Sequence, residues 1–195
     1  MNAVNVHENI KLFDTLCRTY IKRQGIDNLI KYLGEHTDFY TAPASTKYHG
    51  SFRGGLLAHS LEVYYQFMAL SSVYGYCVDA QQTESAAIVT LFHDVCKINT
   101  YKESTRNVKN AQGVWETVPC FIYNGEKDFG AHGAESVHIL TQHLFLTREE
   151  TIAIYHHMGA WYASKGDNVG KAYETHKLAW LLHVADEAAT YIGKI

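Results

Sequence analysis

Apolar residues recur at steps of three and four along most of the chain, which is the spacing of one face of an α-helix. This pattern predicts two short helices near the start, over Ile10–Ile21 and Ile26–Leu33, with Gly34 as the stop of the second. A longer helix is predicted from Leu56 to about Tyr74, with Gly75 as its stop, and another from Thr83 to Ile98. The segment AAIVTLFHDVCKI is apolar on nearly every face, so we expect the helix that contains it to be central and buried.

The period changes between Tyr101 and Tyr123, where RNVKNAQGVWETV surrounds a glycine-containing turn and predicts a β-hairpin. Helices resume over Gly133–Leu144, and Thr147 with Glu150 forms a capping box that predicts the start of another. The last predicted helix covers Tyr173–Tyr191. The fold class is therefore expected to be mostly α with one hairpin insertion.

Composition narrows the class of protein. The 195 residues suit a single domain with a sizeable core, because 47% are apolar and only 2 are proline. A net charge of −3 disfavours a strongly basic nucleic-acid binder. Cysteines without a CxxC pair are typical of reduced thiols, and the N-terminus lacks the pattern of a signal peptide. We therefore expect a cytoplasmic protein with no membrane segment.

Polar residues at core positions are the informative departures from this pattern, because a buried polar group without a partner is costly. His59 and Asp186 fall on apolar helix faces, and His93 with Asp94 interrupts the most apolar segment. Taken singly, each could be a core side chain held by hydrogen bonds. A buried carboxylate such as Asp94 nevertheless needs a cation, several hydrogen bonds or a metal. Imidazole nitrogen with carboxylate oxygen suits a divalent transition metal: Mn, Fe, Co, Ni or Zn.

Further candidates are His132 in GAHGAESV and the pair His156–His157 at the end of a predicted helix. In chain order the series reads His, His-Asp, His, His-His and Asp, each on a different predicted helix. This series resembles the HD-domain metal-dependent phosphohydrolase superfamily. The segment HDVCK resembles the common family motif in which His-Asp is followed by two residues and a Lys. Cys96 stands at the position where the family usually has glycine. RGGLLAHSLEV is similar to the first-ligand segment in the HD module of bacterial 3′-to-5′ exoribonucleases.

The resemblance implies a helical bundle of HD type and a set of metal ligands. Residues 1–195 would form one domain, with 1–45 as a helical extension and 101–123 as a hairpin insertion. One ion would be held by four positions, which are His59, His93, Asp94 and Asp186. A second would be held by His132 with His156, His157 or both, and Asp94 would bridge the two ions. One or two ions are therefore expected.

The implied activity is hydrolysis of a nucleotide or related small phosphoester by attack of a metal-activated water. Asp94 and Lys97 would be the catalytic residues, and Lys97, Arg53 and Arg106 would contact substrate phosphate. Arg53 immediately precedes the helix of the first ligand, and Lys47 is a weaker candidate for the same role. His183 lies one turn before Asp186 and could orient it.

Three alternatives stay open at this stage. A metal-dependent nuclease on single-stranded nucleic acid is the nearest, although the related exoribonucleases carry an N-terminal β-type domain where this chain is predicted helical. A di-iron oxygenase and a degenerate HD module that only binds a partner are the others. The oligomeric state is not predicted. Six histidines outside the motif are interpreted as structural or surface residues: His7, His36, His49, His138, His143 and His176.

Overall fold

The computed structural model describes residues 5–125 and 132–193, and of Tyr162 the backbone alone. Within these residues the helices are α1 Val6–Tyr20, α2 Ile26–His36, α3 Gly55–Tyr74, α4 Ala80–Phe92, α5 His132–Thr141, α6 Arg148–His156, α7 Val169–Thr175 and α8 Lys177–Ala188. A hairpin of β1 (Tyr101–Lys109) and β2 (Trp115–Tyr123) separates α4 from α5. The prediction of a mostly α fold with a hairpin insertion is confirmed.

Local sequence signals explain several helix ends. α3 ends at Gly75, which adopts the left-handed backbone conformation that glycine tolerates. α6 begins with the predicted capping box, in which Thr147 and Glu150 each bond the other's backbone. The predicted stop at Gly34 is wrong, because α2 continues to His36. Gly34 instead lets the helix approach Tyr40, whose ring would lie 3.3 Å from a Cβ at that position.

Three predicted helices end early or divide. The helix predicted to reach Leu144 ends at Thr141. α4 ends at Phe92 rather than at Ile98, and a short 3₁₀ turn over Val95–Lys97 follows. The predicted helix over Tyr173–Tyr191 is two helices, since His176 between α7 and α8 has an extended backbone. Periodicity missed the break after Phe92 because Val95, Cys96 and Ile98 beyond it are still apolar and buried. The break after Phe92 leaves His93 and Asp94 in a turn at the helix end.

The core is built around α3 and α4, and the prediction that the helix containing AAIVTLFHDVCKI is buried is confirmed for α4. α3 packs against α8, α4 and α1, and α6 packs against α8. Phe13 from α1 contacts Phe39 and Phe92, with ring centroids 5.3 and 5.5 Å apart. The N-terminal helices therefore share the hydrophobic core of the bundle.

The hairpin is an antiparallel pair that runs from Tyr101 opposite Tyr123 to Lys109 opposite Trp115. Its turn is held by Asn110, whose side-chain oxygen accepts hydrogen bonds from the backbone of Gln112 and Val114.

Across the described residues, no helix combines the length and apolar character needed to cross a bilayer.

Candidate metal centre

Helix ends gather most of the predicted ligands at one point in the core. His59 comes from α3, His93 and Asp94 follow α4, His157 follows α6, and Asp186 lies in α8. All five residues are buried. The break after Phe92 lets two neighbouring residues, His93 and Asp94, present ligand atoms to the same group, which an uninterrupted helix would splay apart.

Asp94 is the centre of this cluster. Its Oδ2 accepts a hydrogen bond from Lys97 Nζ at 2.5 Å, and it lies 3.6 Å from His93 Nε2 and 3.7 Å from His59 Nε2. Its Oδ1 lies 3.5 Å from His157 Nε2. One carboxylate therefore faces three imidazoles and an ammonium group.

Asp186 closes the other side of the cluster. Its Oδ1 lies 3.0 Å from His59 Nε2 and 3.9 Å from His93 Nε2. Although this contact is short, His59 Nε2 has no hydrogen-bond partner within the described chain. Ligand atoms of His59, His93 and Asp186 all lie within 4.8 Å of one another, as do those of His93, Asp94 and His157.

Backbone carbonyls orient two of the imidazoles. His93 Nδ1 lies 2.9 Å from the carbonyl of Thr90, and His157 Nδ1 lies 2.7 Å from that of Ile154. When each Nδ1 donates its proton to the carbonyl, Nε2 faces the cluster with a free lone pair. His183, predicted to orient Asp186, instead places Nδ1 2.7 Å from the carbonyl of His157. It thereby supports the turn that presents His157.

Several buried atoms of the cluster have no hydrogen-bond partner within the described chain. They are both ring nitrogens of His59, Nε2 of His93, Nε2 of His157 and Oδ1 of Asp94. An unsatisfied buried polar atom costs about 1–3 kcal/mol, so several in one place need a compensating ligand. Converging imidazole nitrogens and carboxylate oxygens fit a divalent transition metal.

Burial and charge set the protonation of these groups. Burial lowers the pKa of His93 to about 4, so its imidazole is neutral near pH 7. Burial raises the pKa of Asp94, but Lys97, His93 and His157 together lower it well below its usual value. Burial likewise opposes the ammonium form of Lys97, yet Asp94 holds its pKa above the ordinary value. Neutral imidazole and ionised carboxylate are the forms that bind metal.

A second group of ligand atoms lies on another side of Asp94. Asp94, Cys96 and His132 each offer one atom, and these atoms lie within 4.8 Å of one another. Cys96 Sγ is 3.4 Å from His132 Nδ1. The structure thus places His132 beside Asp94, but with Cys96 as its neighbour in the group.

The two histidines of the HH pair differ in position. His157 is fully buried in the cluster, whereas His156 is half-buried with its ring against Tyr155. The backbone oxygen of His156 accepts a hydrogen bond from the Tyr173 hydroxyl at 2.8 Å. Among the described residues, His156 belongs to none of the potential metal groups. Its role as a ligand stays a prediction, and the geometry favours His157.

The predicted phosphate contacts line a separate cleft of about 1670 Å³ between the residue 46–53 loop, the hairpin and the start of α1. Arg53 and Arg106 line this cleft together with Lys47. Arg53 is exposed and lies 3.8 Å from Glu103 across the cleft. Lys97 belongs instead to the buried cluster.

His49 links the cleft to the cluster, and the sequence did not reveal it. It lines the cleft, and its ring centroid lies 4.7 Å from that of His59. Both ring nitrogens are buried without a hydrogen-bond partner in the described structure, and burial lowers the pKa of His49 to about 4. Its position in a loop ten residues before His59 gives no periodic signal, so the interpretation as a structural or surface residue missed its proximity to the site.

Comparison with known proteins agrees with this geometry. The family model of the HD domain matches residues 56–191, more than two thirds of the chain, and this range includes every predicted metal ligand. No curated protein and no solved structure matches the chain. HD domains bind divalent metals, and the His/Asp cluster could hold one. The chain therefore belongs to the HD-domain superfamily of metal-dependent phosphohydrolases.

Proposed function

We propose that this protein is a metal-dependent phosphohydrolase that cleaves a nucleotide or a related small phosphoester. The observation that carries the proposal is the convergence of unpartnered, buried ligand atoms from His59, His93, His157 and Asp94. Without a ligand these buried atoms stay unsatisfied and destabilise the fold, and a bound cation would satisfy them. The same atoms are the donors that a phosphohydrolase needs around its cation.

Divalent Mn, Fe, Co, Ni or Zn is the expected cofactor, because each accepts mixed nitrogen and oxygen donors. His59, His93, Asp94 and Asp186 would hold one ion, and Asp94 would share a second with His132 and His157. A bound cation of this kind makes hydroxide available near neutral pH and polarises a phosphoryl oxygen. The neutral His93 and ionised Asp94 are already in the protonation states that binding requires.

Lys97 is proposed to stabilise charge on the substrate. Its ammonium group is buried and lies 2.5 Å from Asp94, so it is fixed beside the cluster. The raised pKa keeps it protonated, with Asp94 offsetting the penalty of burial. A fixed cation in a water-poor site stabilises negative charge developing on phosphoryl oxygens better than a solvated one does.

The cleft is proposed to receive the body of the substrate. Its lining includes three cationic side chains, Lys47, Arg53 and Arg106, and two carboxylates, Glu8 and Glu103. This modest positive excess suits one or two phosphates better than a long polyanion. His49, at the junction with His59, would donate or accept a hydrogen bond on the part of the substrate nearest the cluster.

Single-stranded nucleic acid is the second candidate substrate. The cleft volume of about 1670 Å³ exceeds the roughly 300–1,000 Å³ of ordinary small-molecule sites. Aromatic Phe52 and Phe121 also line the cleft, and such rings can stack on bases. An oligonucleotide substrate would show affinity that falls steeply with salt, whereas a mononucleotide would not.

The test is an activity screen of the purified full chain over nucleotides, cyclic dinucleotides and short single-stranded oligonucleotides, with Mn²⁺, Fe²⁺ or Ni²⁺ added. Asp94→Ala is the inactive variant. Asp14→Ala is the matched control, because Asp14 is a partly exposed residue of α1 paired with Arg18. We expect wild type and Asp14→Ala to release product, a strong chelator to abolish it, and added metal to restore it. Full activity in Asp94→Ala, or indifference to the chelator, contradicts the proposal.

A further inference from the structure

We propose that Cys96 is a metal ligand, and that it binds as a thiolate to an ion held between Asp94, Cys96 and His132. The inference rests on the proposed function only in requiring that the protein bind a divalent metal. It adds sulfur to a centre that otherwise offers nitrogen and oxygen donors. The consequence is a preference for softer metals, such as Zn, Fe or Co, at one of the two ion positions.

The distance between the two candidate donors fits a shared ion. Cys96 Sγ lies 3.4 Å from His132 Nδ1. Zinc binds sulfur at about 2.3 Å and imidazole nitrogen at about 2.0–2.1 Å, so two such ligands at a tetrahedral angle lie roughly 3.5 Å apart. An Asp94 carboxylate oxygen lies within 4.8 Å of both atoms. Three donors of different chemistry therefore surround one point.

The backbone fixes Cys96 in this place. Cys96 lies in the 3₁₀ turn Val95–Lys97, directly after the turn that presents Asp94. Its N–H donates a hydrogen bond to the Ser136 hydroxyl at 3.2 Å. Ser136 is fully buried in α5 and lies four residues after His132, which places both on the same face of that helix. The sulfur is thus held toward His132 by a contact that does not involve the sulfur itself.

A bound cation would also balance the negative charges that this proposal brings together. A thiolate beside the ionised Asp94 would be repelled unless positive charge lay between them. Asp94 Oδ1 is buried and has no hydrogen-bond partner within the described residues, so the carboxylate has a lone pair to share. On binding, the Cys96 thiol releases its proton to solvent, the sulfur lone pair forms the bond to the ion, and no electron is transferred.

The other cysteines lack this setting. Cys17 packs in the apolar core, where burial raises the pKa of its thiol. Cys77 is half-buried, with its sulfur 4.0 Å from the carbonyl of Gln82. Among the described residues, Cys96 is the one cysteine in a potential metal group. Cys77→Ser is therefore a matched control for Cys96→Ser.

The test is spectroscopic and does not require turnover. The full chain is freed of metal with a chelator and reloaded with Co²⁺ alone, and the near-ultraviolet band of sulfur-to-cobalt charge transfer is recorded for wild type, Cys96→Ser, Cys96→Ala and Cys77→Ser. We expect the band in wild type and Cys77→Ser and its loss in both Cys96 variants. X-ray absorption of the Zn²⁺-loaded wild type should show a sulfur neighbour at about 2.3 Å. The Kd for Zn²⁺ should rise on the order of tenfold or more in Cys96→Ser, and the Kd for Mn²⁺ by less.

The outcomes separate this inference from the proposed function. Bound Co²⁺ without the sulfur band, or a band that persists in Cys96→Ser, overturns the inference and leaves the hydrolase proposal intact; Sγ and His132 would then share only a hydrogen bond. A sulfur band in a protein that hydrolyses no phosphoester supports the site and overturns the hydrolase proposal. Failure of wild type to bind either Co²⁺ or Zn²⁺ overturns the inference, and the activity screen with Mn²⁺, Fe²⁺ or Ni²⁺ then decides the hydrolase proposal independently. Retained helical circular dichroism in Cys96→Ala excludes unfolding as the cause of a lost band.

Discussion

Within the part of the chain that the structure describes, two clusters of buried charged residues differ in how many of their polar atoms form hydrogen bonds. One surrounds Glu150 at the start of α6, and the other surrounds Asp94 after α4. Both carboxylates are almost wholly buried, with exposed fractions of 0% and 2%. Burial alone therefore does not distinguish a structural charge from a functional one.

Each carboxylate oxygen of Glu150 accepts two hydrogen bonds. Oε1 accepts hydrogen bonds from Arg23 at 3.0 Å and from the Ser85 hydroxyl at 2.6 Å. Oε2 accepts from Arg23 at 2.5 Å and from the backbone N–H of Thr147 at 2.7 Å. This cluster ties α6 to α4 and to the segment between α1 and α2, which is a structural role.

The Asp94 cluster also surrounds a buried carboxylate with cationic or polar side chains, but several of its polar atoms have no hydrogen bond. Its Oδ1 and three imidazole Nε2 atoms, from His59, His93 and His157, have no hydrogen-bond partner in the described chain. Lys97 donates a hydrogen bond to Asp94 Oδ2, but Oδ1 has no donor, whereas both oxygens of Glu150 have two. The comparison teaches that unsatisfied donors and acceptors, rather than buried charge, mark the candidate site in this protein.

The largest expected difference between the clusters is in activity. His93→Ala should lower kcat/KM by at least about a thousandfold, because it removes an imidazole that would hold the cation. Glu150→Gln should keep kcat/KM close to wild type at a temperature where it is folded. Steady-state hydrolysis of the best substrate, with circular dichroism as a check on folding, measures both. Comparable activity in wild type and His93→Ala would remove the functional role assigned to this cluster.

The free energy of unfolding, in contrast to activity, should depend strongly on the Glu150 cluster. Glu150→Gln should lower the free energy of unfolding at pH 7 by about 3 kcal/mol, because it leaves Arg23 without its main partner. Burial raises the pKa of Glu150, but bonds from Arg23, Ser85 and Thr147 lower it below the ordinary 4.5. Its stabilisation is thus present above pH 4.5 and is lost as the pH falls through the lower folded-state value.

Urea denaturation of wild type and Glu150→Gln between pH 3 and pH 7 checks this dependence on pH. The difference in the free energy of unfolding should be largest at pH 7 and should shrink below pH 4.5. A difference that is constant over this range would show that ionisation of Glu150 does not contribute.

Lys97 separates metal binding from catalysis in the Asp94 cluster, because its ammonium group belongs to the cluster but is not a metal ligand. Lys97→Met should lower kcat by about a hundredfold, because a fixed cation near the phosphoryl group is lost. Metal affinity should be retained or increased, as the ammonium group no longer competes for Asp94 Oδ2. Kinetics and metal titration of this variant, with Lys102→Met on the exposed hairpin strand as control, separate the two effects. An unchanged kcat would assign Lys97 to a structural role.

Substitution of His49 is expected to change kcat/KM the least. His49→Ala should lower kcat/KM by about tenfold through the loss of one hydrogen bond to substrate. His49→Gln should recover part of this loss, because an amide can bond at a similar position. Metal content should not change in either variant. Equal kcat/KM in wild type and His49→Ala would show that the histidine only fills space between His59 and the cleft.

The sequence predicted the parts of this fold that depend on local signals. The capping box of Thr147 and Glu150, the end of α3 at Gly75 and the hairpin over Tyr101–Tyr123 all follow from residue types at fixed spacings. The break after Phe92 could not be predicted in this way, since Val95, Cys96 and Ile98 remain apolar and buried beyond it. Tertiary packing, rather than helix propensity, sets that boundary.

The candidate site was predictable where its residues follow a family motif. His59, the adjacent pair His93–Asp94, and Asp186 lie on three segments that are far apart in the sequence. The order of the motif alone brought them together in the prediction. The choice between His156 and His157 depends on which side of a helix end faces α8. The positions of His49 and Cys96 depend on the geometry of a loop and of a turn. No periodicity encodes these features, so they required coordinates.

The most direct test of the central claim is the stabilisation that metal confers on each cluster variant. Denaturation of wild type, His59→Gln and Glu150→Gln is measured with chelator and with Mn²⁺ or Zn²⁺ at about a hundredfold above the wild-type Kd. Wild type and Glu150→Gln should each gain about 2.7 kcal/mol on addition of metal, and His59→Gln should gain little, although its stability in chelator is close to that of wild type. A wild type that gains nothing, or a His59→Gln variant that gains as much, would contradict the account.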